Sequence, residues 1–370
     1  MLRIGFDREI FLHQQYGGVS RGFASIISEF KNDSHHQIEP VLLFSRTNNY
    51  YIKEQYPHLG PARNFIKASS GWSTLATYGP VREVSSLWAG GKSSRKPLDI
   101  LHATYYRPNL RDRISAAALA VTVHDFIPEY LGWSGFRNPH IGKSSLLRKA
   151  ELIVCVSEAT RMEALDTYKL DSNRIRVIHQ GVHSVKEISA KSTINANPYL
   201  LYVGHRTGYK NFDLLLQAFR ILNSKSDKYR LVVVGPKLTK LESGELDRQV
   251  GEGYWKALQP QSDRDLARLY RNAFLHVVTS GMEGFGMTIL ESMAQGTPVI
   301  MNDIPVFREV AGVAGTYFPS SADSLVEAIK SLGDSSNHLM MSQLSISRAA
   351  QFSWEKAASL HAAAYQELCD

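Results

Sequence analysis

Apolar and polar positions along this chain fall into two alternating patterns. Short continuous runs such as LRIGF, VLLF, DILHAT, ALAVTV, ELIVCV and RIRVIH mark the first half, and YLLYVG, RLVVVG, AFLHVVT, TPVIMN and GTYF the second. Each run is rich in Val, Ile and Leu and apolar on both faces, as a strand needs when helices cover both sides of a parallel sheet. The stretches between the runs carry apolar residues three and four apart, the period of a helix with one buried face. Strand followed by helix, repeated, predicts a doubly wound α/β sheet, and here the series plays twice. Between the series lies SVKEISAKSTINANP, polar and aperiodic, which predicts a linker over 185–197. The expected domains are therefore 1–184 and 198–351. The strongly amphipathic end, from FSWEKAASLHAAAYQEL, forms a helix over 352–370.

Composition changes this picture little. At 370 residues, with 44% hydrophobic and 21% charged residues, the chain is globular and long enough for two cores. No apolar run reaches the roughly 18 residues a membrane span requires. Asp7 interrupts the start where an export leader would be continuously apolar, and the two cysteines suggest neither a disulfide nor a zinc framework. A cytoplasmic protein is expected. The net charge of +7 lies entirely in the first half: residues 1–183 carry 23 Lys+Arg and 16 Asp+Glu (23 − 16 = +7), and residues 184–370 carry 19 of each (19 − 19 = 0). Such a half either solubilises the surface or meets an anionic membrane or phosphorylated substrate.

In doubly wound sheets ligands bind beyond the carboxyl ends of the strands, so chemistry is sought there. YGGVSR follows the first strand, and Gly17 and Gly18 allow a close backbone approach at a helix start. Taken alone, a plain loop before a helix is the better explanation of them. TVHDFIP places His124 and Asp125 at a strand end, where a histidine either meets a hydroxyl or satisfies the core. LHATYYRP offers His102, Tyr105, Tyr106 and Arg107, a set that suits sugar binding or ordinary packing. YVGHRTGYKN puts Gly204, Arg206 and Lys210 at a strand-to-helix turn. Cations near a helix N-terminus are unfavourable unless an anion joins them, which favours a diphosphate there.

EGFGMTILE raises the sharpest question, with Glu283 and Glu291 flanking Gly284, Phe285, Gly286 and Met287. Thr288 and Glu291 fit a capping box, with Gly296 and Pro298 closing a two-turn helix. Capping leaves Glu283 and the glycines unexplained. Two acids gripping hydroxyls on two parts of one nucleotide sugar, with phosphates toward the helix start, explain all of them.

With these residues in place, the chain resembles retaining glycosyltransferases of the GT-B fold, family 4, over nearly its whole length and most strongly over Tyr199–Gly312. The elements that carry the resemblance are EGFGMTILE with SMAQGTPVI and FREVAG, together with VSEATR and YVGHRTGYKN. The resemblance implies two Rossmann-like domains facing a central cleft, with the final helix rejoining the first. It implies that Glu283 lies near the donor sugar and Glu291 at the ribose. Arg206, Lys210 and the Gly17–Gly18 loop would hold the diphosphate, and His124 would face the reacting sugar. Catalytic roles are thus expected for His124, Glu283, Arg206 and Lys210. Donor contacts are expected from Gly17, Gly18, Gly204, Gly284, Phe285, Gly286, Met287 and Glu291, and acceptor contacts from His102, Tyr105 and Asp125.

The expected donor is GDP-mannose or, as runner-up, a UDP-sugar. The acceptor is a glycan or lipid-linked saccharide in surface polysaccharide synthesis. No metal or other cofactor and no nucleic acid partner is expected. The basic first half suggests peripheral attachment at the inner face of the membrane. The alternatives are an epimerase or phosphorylase on the same fold, or a non-catalytic nucleotide-sugar binder. A dinucleotide oxidoreductase is disfavoured because no Gly-x-Gly-x-x-Gly follows a strand.

Overall fold

The computed structural model describes residues 1–62, 96–107, 110, 114–134, 138–183, 198–206, 208–223, 229–260 and 262–370. Two units divide the chain: Met1–Gly181 with Trp354–Asp370, and Val182–Ser353. The linker expected over 185–197 lies outside the described residues.

The first unit holds strands β1 (Leu2–Phe6), β2 (Ile38–Leu42), β3 (Leu98–Ala103), β4 (Ala116–Val123), β5 (Leu152–Cys155) and β6 (Ile175–Val177), all parallel, in the order β2-β1-β3-β4-β5-β6. The six residues from Ala118 to Val123 are all buried, as a central strand covered on both faces requires. Pro40, which cannot donate to a ladder, sits in β2 at the sheet's edge. The last helix, Trp354–Cys369, belongs to this unit and packs on the helix Gly18–Asn32. A Cβ at Gly22 would lie 3.4 Å from the Trp354 ring, so a small residue there lets the two helices approach.

The second unit holds β7 (Tyr199–Val203), β8 (Arg230–Val234), β9 (Trp255–Leu258), β10 (Leu275–Val278), β11 (Val299–Asn302) and β12 (Gly315–Phe318), parallel in the order β12-β11-β10-β7-β8-β9. Eleven of the twelve strands among the described residues overlap apolar runs in the sequence. The exception, β9, is an edge strand whose middle residues Lys256 and Ala257 are exposed, so it carries no apolar run to betray it.

Strand order fixes where ligands go. It reverses between β1 and β3 in the first unit and between β7 and β10 in the second. Adjacent connections leave in opposite directions at those two points and open a crevice beyond the strand ends.

Candidate active site

At the β7/β10 switch the chain leaves β7 through Gly204, whose φ is 148°, and the neighbouring strand end is so near that a Cβ on Gly235 would lie 2.3 Å from the Gly204 carbonyl oxygen. A single turn of tight helix, Gly208–Lys210, follows, and Asn211 takes a left-handed φ of 49° before the helix Phe212–Asn223 begins. The turn is tied to the end of β10: the Gly281 amide donates to the Tyr209 carbonyl at 2.8 Å, and the Thr279 hydroxyl to the Lys210 carbonyl at 2.7 Å. Lys210 is thereby delivered to Glu283, with Nζ and Oε1 2.5 Å apart and both side chains about one-fifth exposed. This half-open pair brings together a cation and an acid that lie far apart in sequence.

Arg206 goes elsewhere. Its side chain is 5% exposed, and Nε donates to Glu242 Oε1 at 2.8 Å. Glu242 closes a capping box with Thr239 at the start of the helix Lys240–Gln249. Its carboxyl is pushed up by burial but is brought below its ordinary value by the Arg206 and Thr239 hydrogen bonds. The sequence reading expects Arg206 and Lys210 as joint diphosphate clamps; the structure presents Lys210 beside Glu283 and pairs the buried Arg206 side chain with the partly exposed Glu242.

The EGFGMTILE helix spans Met287–Ala294, and its start corrects the capping-box expectation. Gly286, not Thr288, is the N-cap, with φ 104° and no side-chain cap. A Cβ there would meet Ile289 at 3.1 Å and Phe307 at 3.3 Å, so both conformation and space require glycine. Thr288 lies inside the first turn. Glu291 is thus released from capping, and its Oε2 accepts from the hydroxyl of the buried Tyr270 at 2.9 Å. Phe285, expected at the donor, is 5% exposed and packs edge-on against Phe352, so its ring serves the core. Gly284 is buried, and Met287 is half-buried at the helix start.

The metal-free expectation takes the chain to lack an Asp-x-Asp triplet, but the sequence contains one, Asp263-Arg264-Asp265. It opens the helix Asp263–Asn272, where Asp265 bonds the Ser262 cap at 2.8 Å and pairs with Arg268 at 3.5 Å. That is a helix-start role.

In the first unit, Gly17 caps the helix Gly18–Asn32 without a side chain. The Gln14 amide lies where a Gly17 Cβ would be, 2.3 Å away, and its Oε1 accepts from the Ser20 amide at 3.0 Å. At the β1/β3 switch Asp7 is 3% exposed and accepts from the Glu9 and Thr104 amides and the Thr104 hydroxyl. Burial, aided by Glu9, raises its carboxyl to about 7.

His124 ends β4. It is 8% exposed, and neither ring nitrogen has a hydrogen-bond partner. Burial, with help from His140 and Lys143, lowers it to about 3, so the ring is neutral at physiological pH. It lines a small cavity with Phe23, Thr122, Gln180, Trp354 and His361. An unsatisfied, neutral imidazole at a strand end is what a ligand hydroxyl would complete.

Two of the expected acceptor residues prove internal. His102 has no exposed surface; Nδ1 bonds the Tyr365 hydroxyl at 2.5 Å and Nε2 the Thr122 hydroxyl at 2.8 Å, so both nitrogens are used within the core. Tyr105 is 6% exposed and packs on Tyr106 and His140. Tyr106 is buried too, and its hydroxyl accepts from the His124 amide at 3.1 Å, which makes it a support for the His124 backbone. Asp125 turns the loop after His124, its Oδ1 accepting from the Ile127 amide at 3.0 Å. Arg107 pairs with Glu9 at 2.6 Å.

Sequence reasoning missed Lys143. It is fully buried, donates to the Asp125 carbonyl, lies 3.2 Å from Glu129 Oε1 and sits 3.5 Å from the Phe126 ring centroid. His140 and Tyr168 also donate to Glu129, at 2.9 Å each. Burial pushes the Glu129 carboxyl up, but the His140 bond and the Lys143 charge overrule it and hold it at about 2. The signal available was slight: a single lysine in IGKSSLL, indistinguishable from a solvated one.

Two doubly wound units, each with polar side chains gathered where its strand order reverses, define a two-unit α/β protein of the class that binds ligands at strand ends. The comparisons fix which. The model described as Glycosyltransferase Family 4 matches residues 16–185, and that described as Glycosyl transferases group 1 matches residues 184–345. The two adjoin and take in most of the chain, which belongs to this family of glycosyltransferases.

The chain is 29% identical over 288 residues to O-antigen chain mannosyltransferase B of Escherichia coli, covering 71% of this chain and 74% of the relative. It is 31% identical over 219 residues to O-antigen chain mannosyltransferase RfbU of Salmonella typhimurium, covering 57% and 60%. Among solved structures, an Anabaena protein, HepE, crystallised with UDP and glucose, superposes with a TM-score of 0.74 at 18% identity, covering 99% of this chain and 100% of that one. The fold is GT-B, and the protein is a glycosyltransferase.

Proposed function

We propose that this glycosyltransferase transfers mannose from GDP-mannose, with retention, to a glycan or lipid-linked saccharide acceptor during surface polysaccharide synthesis, without a divalent metal. The observation that carries the reading is the Lys210–Glu283 pair at the β7/β10 switch. An anionic diphosphate arriving there gives Lys210 a further partner, and a sugar hydroxyl does the same for Glu283. As the diphosphate departs, Lys210 and the uncapped amides at the Gly286 helix start stabilise the growing negative charge. His124, neutral above about pH 3, offers a hydrogen bond to a sugar hydroxyl rather than a proton to the leaving group. The mannose assignment follows the two O-antigen relatives.

A cytoplasmic, membrane-peripheral location accompanies this reading. Among the described residues no helix is long and apolar enough to cross a membrane. The cations that could attract an anionic surface belong to the first half of the sequence, where residues 1–183 carry the whole net charge (23 − 16 = +7). Co-sedimentation with acidic vesicles that falls as salt rises supports the attachment, and equal sedimentation with neutral vesicles removes it.

A donor panel tests the function. GDP-mannose at a hundred times its dissociation constant stabilises the protein by about 2.7 kcal/mol. GDP release should require an added saccharide acceptor and persist in excess chelator. Stabilisation by a UDP-sugar but not by GDP-mannose changes the donor. Metal-reversible loss of activity ends the metal-free reading, and turnover without an acceptor favours an epimerase.

A further inference from the structure

Tyr16 is 57% exposed, yet everything behind it is fixed. Its ring stacks on Tyr50 with centroids 5.3 Å apart at 28°, and meets Tyr51 at 6.4 Å and 86°. Tyr50 and Tyr51 pack edge to face at 5.5 Å, and the Arg21 guanidinium lies 5.9 Å from the Tyr51 ring centroid.

The two segments that carry these rings leave the carboxyl ends of β1 and β2 and are stitched together from below. Asn49 Nδ2 donates to the Gln14 carbonyl at 2.7 Å, the Tyr50 amide to the Gln15 carbonyl at 3.0 Å, and the Thr47 hydroxyl to the Phe11 carbonyl at 2.8 Å. Thr47 and Asn49 have no exposed surface. Asn49 also caps the helix Tyr50–Gln55 through the Ile52 amide.

Ordering a surface loop this firmly costs conformational entropy. An aromatic ring that gained stability by burial would turn inward; this one is held outward. It stands at the ligand-binding edge of a parallel sheet, directly before Gly17. A flat, rigid ring with a guanidinium nearby matches a pyranose, whose axial C–H face is apolar and whose rim carries hydroxyls. A membrane anchor, by contrast, would project an unsupported side chain; Tyr16 is backed by a second ring and offers a face.

We propose that Tyr16, supported by Tyr50 and Tyr51, is a stacking subsite for a pyranose ring of the saccharide acceptor. The proposal rests on the reading of the chain as a glycan-building transferase, and the two are separable by experiment. Methyl α-mannoside, mannobiose, methyl glucoside and the methyl glycoside of N-acetylglucosamine are titrated into the full chain by saturation-transfer NMR, with melting curves as the folding control.

At least one of these saccharides is expected to bind. Its affinity should weaken about tenfold in Tyr16→Ala, the weight of one aromatic contact, and stay within about twofold in Tyr16→Phe, since the ring and not the hydroxyl does the stacking. Absence of binding to the wild type, or binding indifferent to Tyr16→Ala, overturns the subsite. So does a Tyr16→Ala variant that loses only sedimentation with acidic vesicles, which assigns the ring to a membrane. Donor stabilisation by GDP-mannose is measured on the same proteins. If it is absent while saccharide binding still depends on Tyr16, the functional reading fails and the subsite stands.

Discussion

Replacing Lys143 with methionine tests how the loop that carries His124 is held. Methionine keeps the volume and removes the charge. Glu129, its side chain 17% exposed, then loses its cation, and the Asp125 carbonyl loses its donor. Breaking a buried ion pair by removing one partner costs about 3–5 kcal/mol. Glu129 keeps its His140 and Tyr168 bonds, so the lower end, about 3 kcal/mol, is expected. For a domain of this size that lowers the melting temperature by about 6–12 °C.

Glu129→Gln alone should also destabilise, because it strands a buried ammonium. The double variant should cost less than the sum by about 1–3 kcal/mol, since neither charge then remains to be compensated. Urea unfolding of the four proteins measures this cycle. Acid supplies a second reading. Glu129 is held at about 2 against an ordinary 4.5, so its contribution is complete above pH 4.5 and disappears as pH falls toward 2. The gap between wild type and Lys143→Met should therefore narrow as pH falls from 4.5 toward 2. Additive single penalties, or a Lys143→Met cost below about 1 kcal/mol, would refute the reasoning.

Three further outcomes are expected. Glu283→Gln should chiefly lower kcat with the fold intact, because it weakens a contact where charge develops; unfolding of the variant would reassign Glu283 to structure. Glu291→Gln should chiefly raise the donor KM without loss of helix capping, since Gly286 rather than Thr288 starts that helix; an unchanged donor KM would remove Glu291 from the donor site. Gly286→Ala should cost about 1–3 kcal/mol by denaturant unfolding, from the φ of 104° together with the approach to Ile289 and Phe307; a neutral result would mean that the turn relaxes freely.

Much of the fold was legible because its strands are buried on both faces and so spell themselves as apolar runs. Where burial is partial the signal fades, and β9 at the sheet edge passed unnoticed. The turn chemistry of EGFGMTILE was half legible. The helix and its stop were evident, but two start signals overlapped. A Thr-x-x-Glu pattern and a glycine compete for one N-cap, and only the positive φ of Gly286 decides between them. Lys210 and Glu283 were both recognisable as chemistry. Their pairing was not, because it depends on β7 and β10 being neighbours, a property of strand order rather than of any local segment. His102 and Lys143 fail in opposite senses. One is a polar residue at a strand end that the core uses completely, and the other an apparent surface lysine that the core encloses. In both, the partners that decide the matter come from distant parts of the chain.

The return of the last helix to the first unit bears on how the molecule comes into being. The His102 ring in β3 is bonded to Tyr365, and Phe30 packs against the same tyrosine. The unit that holds Met1–Gly181 therefore waits for Trp354–Asp370 to be made before its interior is filled. The unit formed by Val182–Ser353 has all of its sequence earlier and is free to fold while its predecessor is still open. During that interval the exposed surfaces of β3 and of the helix Gly18–Asn32 are the ones a chaperone or a protease would meet.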